Sequence, residues 1–204
     1  MLLSNALVYL LQTLFHLFVL AALLRFYMQA LRAPFRNPVA QFVAALTDFA
    51  VKPLRRVIPG LMGLDLASFL LAWLAEFVLL VLLYLIKYGT AMPPGGALWV
   101  LLSVLLLLAL VWLLRLSVYL LIGAVFIQAI LSWFNPYHPI APFFDALTRP
   151  FLKPLRRFIP LVGGVDLSGL VMLIICQLIL ILPIAWLELA VESIVSAGGG
   201  LKLM

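Results

Sequence analysis

Four long apolar runs divide this chain, and each is interrupted by few strongly polar side chains. The first runs from Leu2 to Leu31, broken by Gln12, His16, Arg25 and Gln29. The second spans Leu66 to Tyr88 and holds Glu76, and the third spans Ala97 to Phe134 and holds Arg115. The fourth runs from Leu167 to about Leu189, with Pro183 as the expected site of a kink. Runs of this length read as membrane-crossing helices, because about 20 residues traverse the hydrocarbon core. Pro93-Pro94-Gly95-Gly96 marks a tight connection between the second and third.

The pattern changes between the first and second runs, and again between the third and fourth. Asn37-Pro38 predicts a helix start, with Asn as N-cap and Pro at the first position. Val39, Phe42, Val43, Leu46, Phe49 and Ala50 then recur at helical spacing and form one apolar stripe. In the second region, Asn135-Pro136 predicts a turn and His138-Pro139 a helix start, followed by Ile140, Phe143, Phe144, Leu147 and Phe151. Both stretches read as amphipathic helices lying in the membrane interface. Pro53 and Pro154 are expected to end them, because proline cannot donate to a continuing helical ladder.

The two regions are copies. Lys52-Pro53-Leu54-Arg55-Arg56-Val57-Ile58-Pro59 returns as Lys153-Pro154-Leu155-Arg156-Arg157-Phe158-Ile159-Pro160. The same ungapped register pairs Pro38 with Pro139, Leu46-Thr47 with Leu147-Thr148, Gly63 with Gly164, and Asp65-Leu66 with Asp166-Leu167. The chain therefore divides into two tandem units, 1–101 and 102–204, each predicted as span, interfacial helix with a basic end, and span. The fold expected is an all-α membrane protein with four transmembrane helices in two parallel repeats.

Charge placement orients this arrangement. Arg32, Arg36, Lys52, Arg55 and Arg56 lie between the first two spans, and Arg149, Lys153, Arg156 and Arg157 between the last two. The positive-inside rule places both basic segments in the cytoplasm and both termini outside, as in a multi-pass protein of a bacterial inner membrane. An even number of crossings separates the copies, so they are parallel, related by an axis along the membrane normal. The third run is long for one crossing at about 1.5 Å per residue. It must tilt, kink near Arg115 or project from the bilayer. A hairpin turning at Arg115 is the competing reading, and it would break both the charge rule and the symmetry.

Composition supports the membrane assignment and narrows the function. Of 204 residues, 67% are hydrophobic and 10% charged, far from a soluble domain at about 25% charged. Thirteen Lys and Arg against seven Asp and Glu give a formal charge of +6. Because the basic residues sit beside apolar runs, anionic lipid headgroups are the expected partners, and nucleic acid is not expected. Cys176 stands alone inside an apolar run, which excludes an intramolecular disulfide or a multi-cysteine metal site. The first 15 residues have no basic n-region, which favours a retained helix over a cleaved signal peptide.

Two readings of the repeated segment are compatible. In the simpler one, Lys52, Arg55, Arg56, Lys153, Arg156 and Arg157 anchor the loops at headgroup height, while Asp65 and Asp166 cap the next helices. In the sharper one, the six cations form a two-fold docking platform for anionic lipid or for a membrane or cytoplasmic protein partner. Homo-oligomerisation is left open.

Two copies of a proline-flanked Lys-Pro-Leu-Arg-Arg-x-Ile-Pro segment, each followed by a glycine and an aspartate, resemble the YggT family, also called YlmG. The resemblance covers essentially the whole chain. The second copy has Gly163-Gly164-Val165-Asp166 where the first has Met62-Gly63-Leu64-Asp65. The resemblance implies a small integral membrane protein of bacterial inner or plastid membranes with no established enzymatic activity. It also implies associations with osmotic tolerance, with cell division and nucleoid or organelle organisation and, in a plastid branch, with haem attachment to a cytochrome b-type complex. No catalytic motif comes with it.

Polar residues within the spans give a second class of candidates. Glu76 is central in its span, and its register counterpart is Gln177; His16 corresponds to Ser117, with Arg115 close by. His16, Glu76, Arg115, Ser117 and Gln177 are expected to form a polar layer near mid-membrane, with Glu76 paired to Arg115. Its simple role is structural, and its alternative role is an ion or proton path in a transporter or channel component. No nucleophile set, phosphate loop or metal cluster supports an enzyme. His16 and His138 fall at different levels, so no haem or other cofactor is expected. A non-enzymatic scaffold or assembly factor is the favoured function.

Overall fold

The structure is a computed structural model, and it describes residues 2–58, 60, 63–89, 98–135, 137–159 and 166–199. Pro59, Met62, Pro93-Pro94-Gly95-Gly96, Pro136, Pro160 and Gly163-Gly164-Val165 lie outside the described residues. Among the described residues the regular structure is helical: α1 (Leu2–Ala30), α2 (Pro38–Val57), α3 (Leu66–Tyr88), α4 (Leu98–Phe134), α5 (Ala141–Phe158), α6 (Ser168–Ile179) and α7 (Ala185–Gly199). A five-residue π turn, Leu180–Ile184, joins α6 to α7. Four stretches are long and apolar enough to cross a membrane: Asn5–Ala30, Leu66–Tyr88, Leu98–Phe134 and Ser168–Val191.

The third run is a single unbroken helix of 37 residues, with no turn at Arg115. At 1.5 Å per residue it is roughly 55 Å long, well beyond a hydrocarbon core of about 30 Å. The fourth run accommodates Pro183 by widening the helix. Proline has no N–H and crowds the carbonyl one turn back, and the π turn opens the ladder so that Ala185 N–H reaches Leu180 O.

Local chemistry explains the ends of α1 and α2. Arg32, at φ 54°, occupies the left-handed region, which lets Ala33 N–H bond back to Met28 O at 2.8 Å and closes α1. Asn37 then caps α2, its side-chain oxygen accepting Ala40 N–H at 2.9 Å, with Pro38 in the first turn.

Pro53 and Pro154 do not end their helices, contrary to the sequence expectation. Both sit inside, and α2 and α5 continue to Val57 and Phe158. Each proline is exposed, so the carbonyl one turn back that loses its N–H partner lies on the same outward side, where water can satisfy it. The helices stop at Ile58 and Ile159, both extended (φ −116° and −107°). Each precedes a proline in sequence, and the residue before proline is driven out of the helical region. The start of α5 also differs. It begins at Ala141 rather than at Pro139, with Pro142 in its first turn and Ile140 as a cap without a side-chain bond. His138 instead accepts the Ile140 N–H through Nδ1 at 3.3 Å, holding the turn before it.

The apolar stripes of α2 and α5 meet different surroundings. On α2, Ala40, Val43, Thr47 and Val51 face inward, while Phe42, Leu46 and Phe49 are exposed. On α5, Phe143, Phe144 and Leu147 are all buried, packed in one cluster with Met28, Ala40, Val43 and Ala124. That cluster joins α1, α2, α4 and α5. A second, built from Val19, Ala22, Leu23, Ala72, Leu113 and Leu116, joins α1, α3 and α4.

Candidate functional site

The basic end of α2 is a dense ion-pair network. Arg25, buried near the end of α1, donates to Thr47 Oγ1 and Asp48 Oδ1, each at 2.7 Å. Lys52 Nζ lies 2.8 Å from Asp48 Oδ2, one helical turn away. Arg55 donates to both oxygens of Asp65 and to Gln29 Oε1. Asp65 in turn caps α3, accepting Ser68 N–H and Ser68 O–H, and it is 2% exposed. Gly63, at φ 83°, supplies the left-handed turn just before it.

The carboxylates are set by these partners. The Lys52 ammonium and the Arg25 guanidinium hold the Asp48 carboxyl below its ordinary value. Burial pushes Asp65 up, but the Arg55 guanidinium and the Ser68 donors outweigh it, so the carboxyl ends below its ordinary value. Asp166 has the same balance, with burial opposed by Ser168 and Arg156. All three act as anions at neutral pH.

The basic end of α5 is sparser. Arg156 Nε donates to Asp166 Oδ2 at 2.8 Å, and Asp166 Oδ1 accepts Ser168 N–H at 2.9 Å. Asp166 is not itself the cap residue: α6 begins at Ser168, one position later than its register counterpart in α3, so Leu167 is the cap. Gln128 on α4 takes the place that Arg25 has on α1. It accepts the Thr148 hydroxyl and reaches Asp145 at 3.3 Å, while Arg149 pairs with Asp145.

Of the six cations singled out in the sequence, Lys52, Arg55 and Arg156 thus carry internal carboxylate partners. Arg56, Lys153 and Arg157 are exposed and have no ion pair among the described residues. Arg25, Thr47, Asp48, Gln128 and Thr148 were missed as participants. The repeated Leu-Thr pair was a signal for the two threonines. Both bond the carbonyl four residues back as well as a polar residue of the preceding apolar helix.

Among the polar residues of the apolar helices, Glu76 is not paired with Arg115. Arg115 Nη1 binds both carboxylate oxygens of Glu188 on α7, at 2.7 and 2.8 Å. Glu188 lies at the end of the fourth apolar run, within reach only because α7 continues past the π turn and packs on α4. Gln177 is exposed, and Ser117 donates to Leu113 O while lining an apolar cleft of about 400 Å³ with Tyr27, Phe151 and Pro183. Glu76 is fully buried beside His16, with Nε2 and Oε1 3.5 Å apart and no hydrogen bond between them. The His16 ring stacks on Trp112 at 5.5 Å, and the Arg115 guanidinium lies 5.6 Å from the same Trp112 ring. No group of residues suited to hold a metal is found among the described residues.

The CCB3/YggT family model matches residues 4–86 and again 107–187. An uncharacterized protein of Pseudomonas aeruginosa is 40% identical over 87% of this chain and 87% of its own length. An uncharacterized protein of Vibrio alginolyticus, from the proC 3′ region, is 37% identical over 83% of this chain and 89% of its own. The uncharacterized protein YggT of Escherichia coli K12 is 32% identical over 98% of this chain and 96% of its own. No solved structure matches. With two family matches that cover most of the chain and relatives aligned nearly end to end, the protein belongs to the CCB3/YggT family.

Proposed function

We propose that the protein is a non-enzymatic membrane scaffold or assembly factor of a bacterial inner membrane. It presents a two-fold basic face to anionic phospholipid headgroups and, at that face, to a partner complex. In this reading residues 1–101 and 102–204 are parallel units, α2 and α5 lie at the cytoplasmic interface, and both termini are outside. One observation carries it. In each copy the first arginine of the pair is locked to an aspartate (Arg55 to Asp65, Arg156 to Asp166), while the second (Arg56, Arg157) points outward without an ion-pair partner among the described residues. The locked arginine tethers the helix end to the start of the next span. The outward one is available to a phosphate, which a planar guanidinium suits.

The surroundings fit a headgroup site. Val57 beside Arg56 and Phe158 beside Arg157 are exposed apolar groups, and Phe42, Leu46 and Phe49 are exposed further back along α2. A bilayer interface satisfies both kinds of group at once. Three outward cations, Arg56, Lys153 and Arg157, supply about 3 kcal/mol of attraction at roughly 1 kcal/mol each near an anionic leaflet. The family's associations with cell division and osmotic tolerance indicate where to look for a partner.

Native mass spectrometry of the detergent-purified protein tests the lipid part. Wild type is expected to retain anionic phospholipid in preference to zwitterionic lipid, and the triple variant Arg56→Gln, Lys153→Gln, Arg157→Gln to lose that preference while its thermal midpoint stays put. Equal retention of the two lipid types by wild type would sink the proposal. Crosslinking in native membranes, comparing the same two proteins, tests for a partner at this face.

A further inference from the structure

Four buried polar atoms of three residues gather beside one cavity on the other side of the bundle. Both carboxylate oxygens of Glu76, His16 Nε2 and Trp112 Nε1 are buried with no hydrogen-bond partner. They come from three helices, α3, α1 and α4. The cavity next to them holds about 240 Å³ and is lined by Gln12, His16, Glu76, Tyr84, Lys87 and Trp112, among others. Its walls extend along α3 from Glu76 to Lys87, roughly 16 Å at the helical rise, toward the end remote from the basic segment. Lys87 is exposed, so the cavity reaches the protein surface there. A quarter of the His16 side chain is exposed, whereas that of Glu76 is fully buried.

A carboxylate in this position cannot remain charged without a counter-charge or a donor. No surrounding group is bonded to it as either. Arg115, near the Trp112 ring, is already neutralised by Glu188 of α7. On α3, Tyr84, Lys87 and Tyr88 engage in interactions of their own. Gln12 of α1 is uncharged. His16 is the remaining titratable neighbour, and its Nε2 faces Glu76 Oε1 at 3.5 Å, slightly too far for a hydrogen bond and close enough for a shared proton after a small movement.

We propose that His16 and Glu76 form a proton-binding couple in the middle of the membrane domain, loaded through the cavity that reaches Lys87. A hydronium in the cavity gives its proton to the imidazole and leaves water. The proton is then held between Nε2 and Oε1, and no other bond forms or breaks. Its position gives the protein a protonation site facing the compartment opposite the basic platform, independent of whether that platform binds lipid.

A membrane-soluble carbodiimide is the probe, since it adds only to protonated carboxyls within the apolar phase. Wild-type protein in proteoliposomes is treated across about pH 5 to 8, where histidine changes charge, and label is located by peptide mass spectrometry. Glu76 is expected to carry about tenfold more label than Glu188, because Glu188 is tied to Arg115. Label at Glu76 should decline as pH rises, and His16→Asn should alter that pH profile. With different pH inside and outside, the profile should follow the side that bears Lys87. Labelling of Glu76 no greater than that of Glu188 at every pH would overturn the proposal. So would control of the labelling by the pH on the side of the basic segments.

Discussion

Arg115 and Glu188 form a bidentate ion pair between two apolar helices, with the guanidinium also near Trp112. Charge-assisted hydrogen bonds contribute about 1.5–3 kcal/mol each to stability in favourable settings. Glu188→Gln and Arg115→Gln should therefore each lower unfolding free energy in mixed micelles, by about 1–3 kcal/mol. The double variant should lose less than the sum, with a coupling of at least about 1 kcal/mol. Additive losses would show that the two side chains do not depend on each other. Asp65 gives a pH prediction. Its folded carboxyl is held below its ordinary value, so its contribution is fully present at neutral pH and disappears as pH falls through the folded value. Thermal midpoints in detergent should stay level from neutral to mildly acidic pH and drop only beneath the ordinary carboxylate range. Asp65→Asn should lower the neutral-pH midpoint and flatten that acid drop. An unchanged acid profile would assign the drop to other groups. At this scale, Asp65 was legible as the cap of α3 because capping is local, whereas Asp166, its register counterpart, lies one residue outside the cap of α6. The pairing of Arg115 was not legible, because its partner lies 73 positions away and is brought near only by packing.

Helix ends show how local rules compete within one element. Asn37-Pro38 started α2 as its chemistry dictates, yet Pro53 and Pro154 failed to stop α2 and α5. A proline costs an interior helix about 3 kcal/mol, but here it sits on an exposed face of a helix anchored on its other face by Val43, Thr47 and Val51, or by Phe143, Leu147 and Leu152. Tertiary packing overrides the break. It follows that Pro53→Ala and Pro154→Ala should raise stability, by about 1–3 kcal/mol each, measured by thermal or denaturant unfolding in detergent. A loss of stability would mean that the helix needs the distortion proline brings. The amphipathic stripe on α5 was visible as a periodicity. That α5 turns it into the shared core beside Met28 and Ala124, while α2 exposes Phe42 and Phe49, is decided by what each helix packs against.

For the whole molecule, α4 is the element that determines topology. As one continuous helix of 37 residues it puts the loops at its two ends on opposite sides, so α2 and α5 share a side if α3 and α4 each cross once. Single cysteines at Arg36 and Arg149, introduced with Cys176→Ser, should react with a membrane-impermeant maleimide from the same side of sealed vesicles. Opposite accessibility would eliminate the parallel arrangement. Composition, four apolar helices long enough to span a membrane, the recurring basic segment and the family resemblance were all determined by the sequence itself, because they rest on solvation of long apolar runs and on local sequence. The tertiary structure alone decided which charges are paired. It turned six similar cations into three paired and three outward groups, separated Glu76 from Arg115, and placed Glu76 next to His16 beside a cavity. The physical reason is that burial and pairing are properties of the space between helices. One-dimensional spacing specifies which face a residue lies on, and only the packing of one face on another specifies what it meets.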